Sequence, residues 1–434
     1  MRGTLITLLV VVACFPVHAQ LSFSSFQEVL QYADAHALVV QQALMNEQIA
    51  DAEFRAAKLD RLPSVNASLG YNDNITLQPA LVPEQLFNPN AESGSLQELT
   101  FGTKFQYTRS MQVSWDVLNF QQKFAIQTAK IAAEESRLNT DLARFNTYNA
   151  LAATYYSLLL NQEAVNIYAE NLEVAEQVFV QAQDKFQRGV ISEPELNRAE
   201  INQHQNRSRL QQTLSQVEQL RLQLQDQLNT EEAVVIQDSI SGFLLSSYAI
   251  TSKHPQIAFE AVQMERSESI LRQTKARRAP TVSLVYQNNQ TWATDKFMNF
   301  SEGNNLPQQL FGVQINMPGL FDFGTKQRIK QAKKQVELQR LTYEGTLRST
   351  QREDDLLVLQ LQEANGQLEI NEHVLSLQEG NDAHANNQYE AGLLSLDQRL
   401  DKYGELLNAQ DNYLQSLASQ TLAKYKIFIR QINF

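Results

Sequence analysis

The residues of this 434-residue chain that could do chemistry are few and scattered. Six histidines, His18, His36, His204, His254, His373 and His384, form no i, i+4 pair and no HExxH pattern, so no helix offers the paired imidazoles of a zinc hydrolase. There is no Gly-rich phosphate loop and no GxSxG nucleophile elbow. Cys14 is the only cysteine and falls inside an N-terminal apolar run, which leaves an exported chain without thiol, disulfide or thiolate metal site. These absences predict no enzyme, no metal and no cofactor. The formal net charge of −12, with no basic block, argues against nucleic acid and against an anionic inner-leaflet surface.

What does recur is a pair of turns. Lys185-Phe186-Gln187-Arg188-Gly189-Val190-Ile191-Ser192 returns as Gln388-Tyr389-Glu390-Ala391-Gly392-Leu393-Leu394-Ser395, the two glycines 203 residues apart. Val117 to Lys123 returns as Leu320 to Lys326 at the same offset, so roughly seventy residues were duplicated without insertion. Leu62-Pro63-Ser64-Val65 pairs with Ala279-Pro280-Thr281-Val282 at 217 residues, the length change being absorbed by loops. A duplicated chain directs the search for function to a pseudo-twofold protomer rather than to one catalytic domain.

The elements that position these turns follow from composition and period. No Gly or Pro occurs from Thr103 to Arg188, which predicts one rod-like helix from about Val117 to Phe186, about 105 Å at 1.5 Å per residue. Its copy, about Leu320 to Tyr389, contains Gly345, Gly366 and Gly380 and is expected to bend or weaken there. Each rod ends in its Gly, and a capping box opens a returning helix: Ser192 with Glu195, and Ser395 with Gln398. Leu210, Val217 and Leu224, and Leu400, Leu407 and Leu414, recur every seven residues and predict coiled-coil packing against the rods. Asn229 to Phe243 breaks the helical pattern and predicts a small strand-containing belt. One helix is expected from about Phe26 to Leu62, another from about Gln256 to Arg278.

Beyond Pro63 and Pro280 the period becomes two. Val65, Ala67, Leu69 and Tyr71 alternate with polar residues, as do Phe105, Tyr107, Met111, Val113 and Trp115, then Val282, Leu284 and Tyr286, then Phe311, Val313, Ile315 and Met317. Four such strands cannot close a barrel alone, but three protomers supply twelve. The segments Asn72 to Gly102 and Asn288 to Gln308 read as outward-facing loops. Trp115, Trp292, Phe120, Phe321 and Phe323 are candidates for aromatic belts. Residues 1–19 read as a signal peptide, with a lipoprotein cleavage before Cys14 as the alternative. After it no stretch has the roughly 18 apolar residues of a spanning helix. The organisation expected is therefore 1–19 signal, 20–228 first repeat with strand pair about 64–116 and tip at 189, 229–255 equatorial belt, and 256–434 second repeat with strand pair about 281–317 and tip at 392.

Duplicated strand-loop-strand and helical hairpin, Pro63 and Pro280 at the corners, and the Gly189 and Gly392 tips together resemble the TolC family of outer membrane factors over essentially the whole mature chain. The resemblance implies a fold of α+β class: a homotrimer with a twelve-stranded transmembrane β-barrel, four strands per protomer, continued by a long α-helical coiled-coil tunnel in the periplasm. It implies a passive exit duct in the outer membrane of a Gram-negative bacterium, contacting outer membrane lipids. A periplasmic adaptor (membrane fusion) protein and an inner-membrane transporter of RND, ABC or MFS type would be its partners. Arg188, Gly189, Val190, Ala391, Gly392 and Leu393 match the family's adaptor-docking turns. At the periplasmic aperture, Tyr389 and Asp401 match family positions, Gln398 stands where an acid is usual, and Glu195 keeps acidic character in the first copy. Leu394 stands where the family has an Arg, which implies a less firmly closed resting state. Export of drugs or other small molecules is the first reading, type I protein secretion the alternative, and a periplasmic coiled-coil scaffold without a pore the reading from another class.

Overall fold

The computed structural model describes residues 20–240, 249–250, 253–301, 303–318 and 322–434. The signal-peptide assignment with Cys14, the belt residues Ser241 to Phe243, and Leu320 and Phe321 at the start of the second rod lie outside the described residues. In chain order the elements are β1 (Gln20–Phe23), α1 (Phe26–His36), α2 (Leu38–Leu59), β2 (Ser64–Asp73), β3 (Pro79–Pro83), β4 (Leu96–Thr100), β5 (Phe105–Leu118), α3 (Phe120–Gln187), α4 (Glu193–Leu228), β6 (Ala233–Ile236), α5 (Pro255–Ala276), β7 (Thr281–Thr294), β8 (Asn304–Asn316), α6 (Phe323–Glu390) and α7 (Leu396–Gln431). The chain divides into two compact units.

One unit, Gln48–Glu135 with Ala261–Thr342, carries a four-stranded antiparallel sheet in the order β2-β5-β7-β8. The period-two expectation holds along all four strands. Registers such as Val65 to Val113, Val113 to Tyr286 and Tyr286 to Phe311 put the apolar residues on one face. On the other face Ser110 donates to Asn289 at 2.6 Å and Ser283 to Asp116 at 2.6 Å. β2 and β8 are edges whose outer backbone groups have no ladder among the described residues, a condition that lipid does not tolerate. Between β2 and β5 lies a hairpin, β3 with β4, where only loop was expected. The strand β5 reaches Leu118, and α3 starts later than expected because Asn119 accepts the Gln122 N–H at 3.0 Å as an N-cap.

The other unit takes residues up to Glu47, Ser136–Glu260 and Tyr343–Phe434. Its core is aromatic: Phe26 packs against Tyr155 and Tyr425 with ring centroids 5.1 and 4.9 Å apart, and Tyr156 meets Tyr425 at 5.1 Å. The polar ends of two rings of this core are satisfied, while the buried Tyr156 hydroxyl has no hydrogen-bond partner among the described residues. Tyr155 donates to Asp238 and Tyr148 to Asp34, both at 2.7 Å. The expected belt strand is β6, and it pairs in parallel with β1, whose existence the sequence pattern did not signal. The expected single helix over Phe26 to Leu62 is two, parted at Ala37. Its freed carbonyls are taken by side chains: Gln41 donates to Ala35 at 2.9 Å and Asn229, in left-handed conformation, to His36 at 3.3 Å. Conversely α6 passes Gly345, Gly366 and Gly380 without interruption.

Candidate functional site

The chemistry-bearing residues singled out by sequence collect at the ends of α3 and α6, where each hairpin turns. Both turns have the same hydrogen-bond signature. Val190 N–H reaches Lys185 C=O at 2.8 Å and Gly189 N–H reaches Phe186 at 2.9 Å; Leu393 reaches Gln388 at 2.8 Å and Gly392 reaches Tyr389 at 3.1 Å. This is a Schellman closure, and it requires the residue after the helix to be left-handed: Gly189 and Gly392 have φ of 71° and 74°. A Schellman turn ordinarily folds its following apolar residue back onto the helix. Here Val190 and Leu393 are instead 69% and 78% exposed, two matched apolar side chains held out on rigid turns.

The two tips share one small core. Val178, Ala182, Ala199, Tyr389, Leu396 and Leu400 are buried together, with Ile191, Leu196 and Leu394 packed at its edge. Leu394 thus has an apolar partner set, which is why no guanidinium is wanted at that position. Tyr389 sits inside this core, 2% exposed, its hydroxyl without a hydrogen-bond partner. Burial first, and then the Glu195 carboxylate, push its phenol above the ordinary range. Lys185 places its ammonium 3.5 Å from the Tyr389 ring centroid, and burial holds that ammonium below the usual lysine range.

Glu195 and Gln398 serve as caps. The Glu195 carboxylate accepts from the Ser192 N–H and hydroxyl, both at 2.8 Å, contacts that hold it below the usual carboxylate range, the backbone one most. Gln398 does the same for Ser395 at 3.1 and 3.2 Å. Arg188 is exposed and pairs with Asp184 at 2.9 Å, and Ala391 lies in the exposed turn. Asp401 is different: its side chain is 67% exposed and meets Arg198 of α4 at 3.0 Å. The same guanidinium meets Asp397 at 2.8 Å. Two carboxylates share one cation, so the cluster is left with one negative charge.

Sequence reasoning missed Arg198, Asp397 and the pair Arg399–Asp382. Arg399 of α7 is 2% exposed and binds Asp382 of α6 through both nitrogens, at 2.5 and 3.2 Å. Arg399 also lies 5.4 Å from the Tyr403 ring, whose hydroxyl donates to the Asn171 carbonyl at 2.8 Å. The available signal was the heptad: Arg399 falls beside Leu400 on the packed side of a helix, where a charge needs a partner. Farther along, Tyr168 and Arg209 both bind Asp411, at 2.8 and 3.2 Å. Burial first, then that carboxylate, pushes the Tyr168 phenol up to about 12.

Among the described residues no group of three or more His, Cys, Asp or Glu is placed to hold a metal ion, and no helix is long and apolar enough to cross a membrane. A sheet with one apolar face and two unpaired edges, and two helical hairpins closed by matched turns, define the class: a duct-forming outer membrane protein. The family described as outer membrane efflux protein matches residues 29–230 and 247–432, most of the chain in two blocks. The chain belongs to the outer membrane efflux protein family. Members are homotrimeric channels rather than enzymes, with a β-barrel in the outer membrane and an α-helical tunnel in the periplasm, and they act with a periplasmic adaptor and an inner-membrane pump.

Solved structures share the fold. The CmeC outer membrane channel of Campylobacter jejuni is 16% identical with a TM-score of 0.77, covering 94% of this chain and 85% of its own. VceC of Vibrio cholerae is 15% identical with a TM-score of 0.74, covering 94% and 96%. The open state of the MtrE channel of Neisseria gonorrhoeae is 13% identical with a TM-score of 0.72, covering 94% and 88%. Among curated proteins, no relative matches the chain.

Proposed function

We propose that the paired tips dock the periplasmic adaptor, that the carboxylates beside them form the rim of the periplasmic aperture, and that the duct carries drugs or other small molecules. An inner-membrane transporter of RND, ABC or MFS type supplies the energy, and outer membrane lipids surround the barrel. The observation that carries the docking assignment is the exposure of Val190 and Leu393 on equivalent glycine turns, in a chain whose tip core is otherwise closed. An adaptor would cover both side chains, and at roughly 25 cal/mol per Å² such burial favours association. Arg188, Gly189, Ala391 and Gly392 present them: the glycines hold the left-handed turn, and a Cβ at either would meet nothing within 4 Å.

The same reading makes Asp401 the acid of the aperture. Tyr389, Glu195 and Gln398 support its position through the core and the caps. The test of docking is to replace Val190 and Leu393 by Asp. Trimer level and heat-modifiable gel mobility are expected to stay unchanged, while site-specific crosslinking to the adaptor and export of a fluorescent dye are lost. Undiminished crosslinking in the double variant refutes the docking assignment. Because an Asn tolerates left-handed backbone, Gly392→Asn separates geometry from surface chemistry: it is expected to keep both trimer and docking.

A further inference from the structure

The apolar face of the sheet is interrupted by neutral amides, among them Asn288 and Gln309 in the row of Met111, and in one row by a cation, the group that suits lipid least. Following the registers across the strands, Tyr71, Tyr107 and Trp292 lie in one row, and the next row toward the helices is Leu69, Arg109, Gln290 and Pro307. The row of Tyr107 is an aromatic girdle. Tyr71 meets Tyr107 at 5.2 Å, Phe300 meets Tyr107 at 4.8 Å and Trp292 at 6.2 Å, and Phe297 closes on Phe105 at 5.6 Å. From Tyr107 to Trp115 the strand advances eight residues, about 26 Å along its own axis and about 20 Å along the membrane normal at a tilt of about 40°, most of an outer-membrane apolar band with aromatics at both limits. Arg109 lies just inside the upper limit, at the end of the sheet that carries the β3–β4 hairpin.

Arg109 is exposed, and no hydrogen bond or ion pair joins its guanidinium to any described residue. On this face of the four strands it is the one cation among the described residues, and the one carboxylate, Asp73, stands two rows farther up at the strand end. Next to it Gln290 is already committed to Asn305, its amide donating at 3.0 Å. An unpaired charge on the lipid face of a barrel strand destabilises it most at the midplane and little near the interface. The charge therefore has to rise along its own stem to the girdle and meet an anion there. Among the described residues no acid is placed to be that anion.

We propose that Arg109, flanked by Gln290 and roofed by the Tyr71–Tyr107–Trp292 row, binds the phosphate of an outer-leaflet lipid headgroup, one site on the outer wall of each protomer. The acyl chains lie along Leu69, Met111 and Val113 below, and the guanidinium fork matches the phosphate oxygens. Charge complementarity selects the occupant: an uncharged or zwitterionic lipid would leave the guanidinium partly unmatched.

The site rests on the outward assignment of the apolar face, so the test reads barrel and lipid separately. Purified trimer, wild type and variant, is titrated with diphosphoryl lipid A or with phosphatidylcholine and examined by native mass spectrometry. Wild type is expected to retain the anionic lipid A, whose phosphate monoesters have no internal cation, about tenfold better than zwitterionic phosphatidylcholine. Arg109→Gln and Arg109→Leu are expected to lose that preference, and Arg109→Lys to keep part of it. Each variant should remain a heat-modifiable trimer with unchanged single-channel conductance, which keeps the barrel assignment intact whichever way the lipid result falls. An unchanged preference in Arg109→Leu overturns the site. So does a shift in conductance on Arg109→Gln, which would put the residue in the lumen, and so does displacement of the lipid by inorganic phosphate at equal concentration.

Discussion

The pair Arg399–Asp382 offers the sharpest perturbation. Its guanidinium is almost fully buried, Asp382 is only 15% exposed, and Arg399 Nε already lacks a partner. Asp382→Ala strands a positive charge in the wall between α6 and α7, an error that costs about 3–5 kcal/mol when one member of a buried pair is removed. A global melting temperature would read this poorly, since unfolding of a trimer depends on protomer concentration. Local opening reads it directly. At 1.4 kcal/mol per tenfold, amide exchange of α6 around Asp382 and of α7 around Arg399 should accelerate by about two to three and a half powers of ten. The double variant Asp382→Leu with Arg399→Leu removes both charges and should recover most of the protection, because an apolar replacement of a buried pair is often neutral or better. By contrast Arg198→Gln cuts only exposed pairs, worth ~1 kcal/mol or less, and should change exchange by no more than about fivefold. If Asp382→Ala stays within fivefold of wild type, or if the double variant opens more readily than either single one, the buried pair is not what binds the second hairpin together.

Other outcomes follow from the same geometry. Three copies of the Asp397–Arg198–Asp401 cluster, each with one uncompensated negative charge, should make the channel cation-selective and sensitive to block by a trivalent cation from the periplasmic side. Asp401→Ala should relieve the block, Arg198→Gln should strengthen it, and Asp226→Ala, at the far end of α4, should leave it unchanged. Equal block in wild type and Asp401→Ala would remove that carboxylate from the pore. Asp411 is unsuited as a control because Tyr168 and Arg209 both bind it. At the start of α5, His254 Nδ1 accepts the Gln256 N–H at 3.1 Å, so the cap needs the neutral ring. Burial first, and then Arg430, hold this imidazole below its ordinary range. The unfolded chain therefore binds the extra proton first, and stability is full above about pH 6.5 and declines as pH falls below it. Protection factors at the N-terminus of α5, that is exchange corrected for the intrinsic pH dependence of amide exchange, should be lower at pH 5 than at pH 7.5, and His254→Asn, which caps without titrating, should flatten that difference.

The sequence by itself determined the elements and their duplication. Local rules suffice for them: alternation for β2, β5, β7 and β8, the absence of Gly and Pro for α3, and reciprocal caps at Ser192 and Ser395, all of which act within a few residues. The two glycine turns were legible for the same reason, since a Schellman closure needs its glycine at one position. Tertiary structure decided what depends on partners remote in the chain. The parting of α1 from α2 at Ala37 is held by Asn229, almost two hundred residues away, and β1 exists because β6 is there to pair with it. Tyr389, assigned to the aperture from its place beside Gly392, became a core residue because Val178, Ala182 and Ala199 of the other hairpin close over it. Leu394 leaves Asp401 without the family's Arg beside the tip, and its partner is Arg198 of α4, since a salt bridge asks only for an opposite charge within about 4 Å and leaves open which helix supplies it.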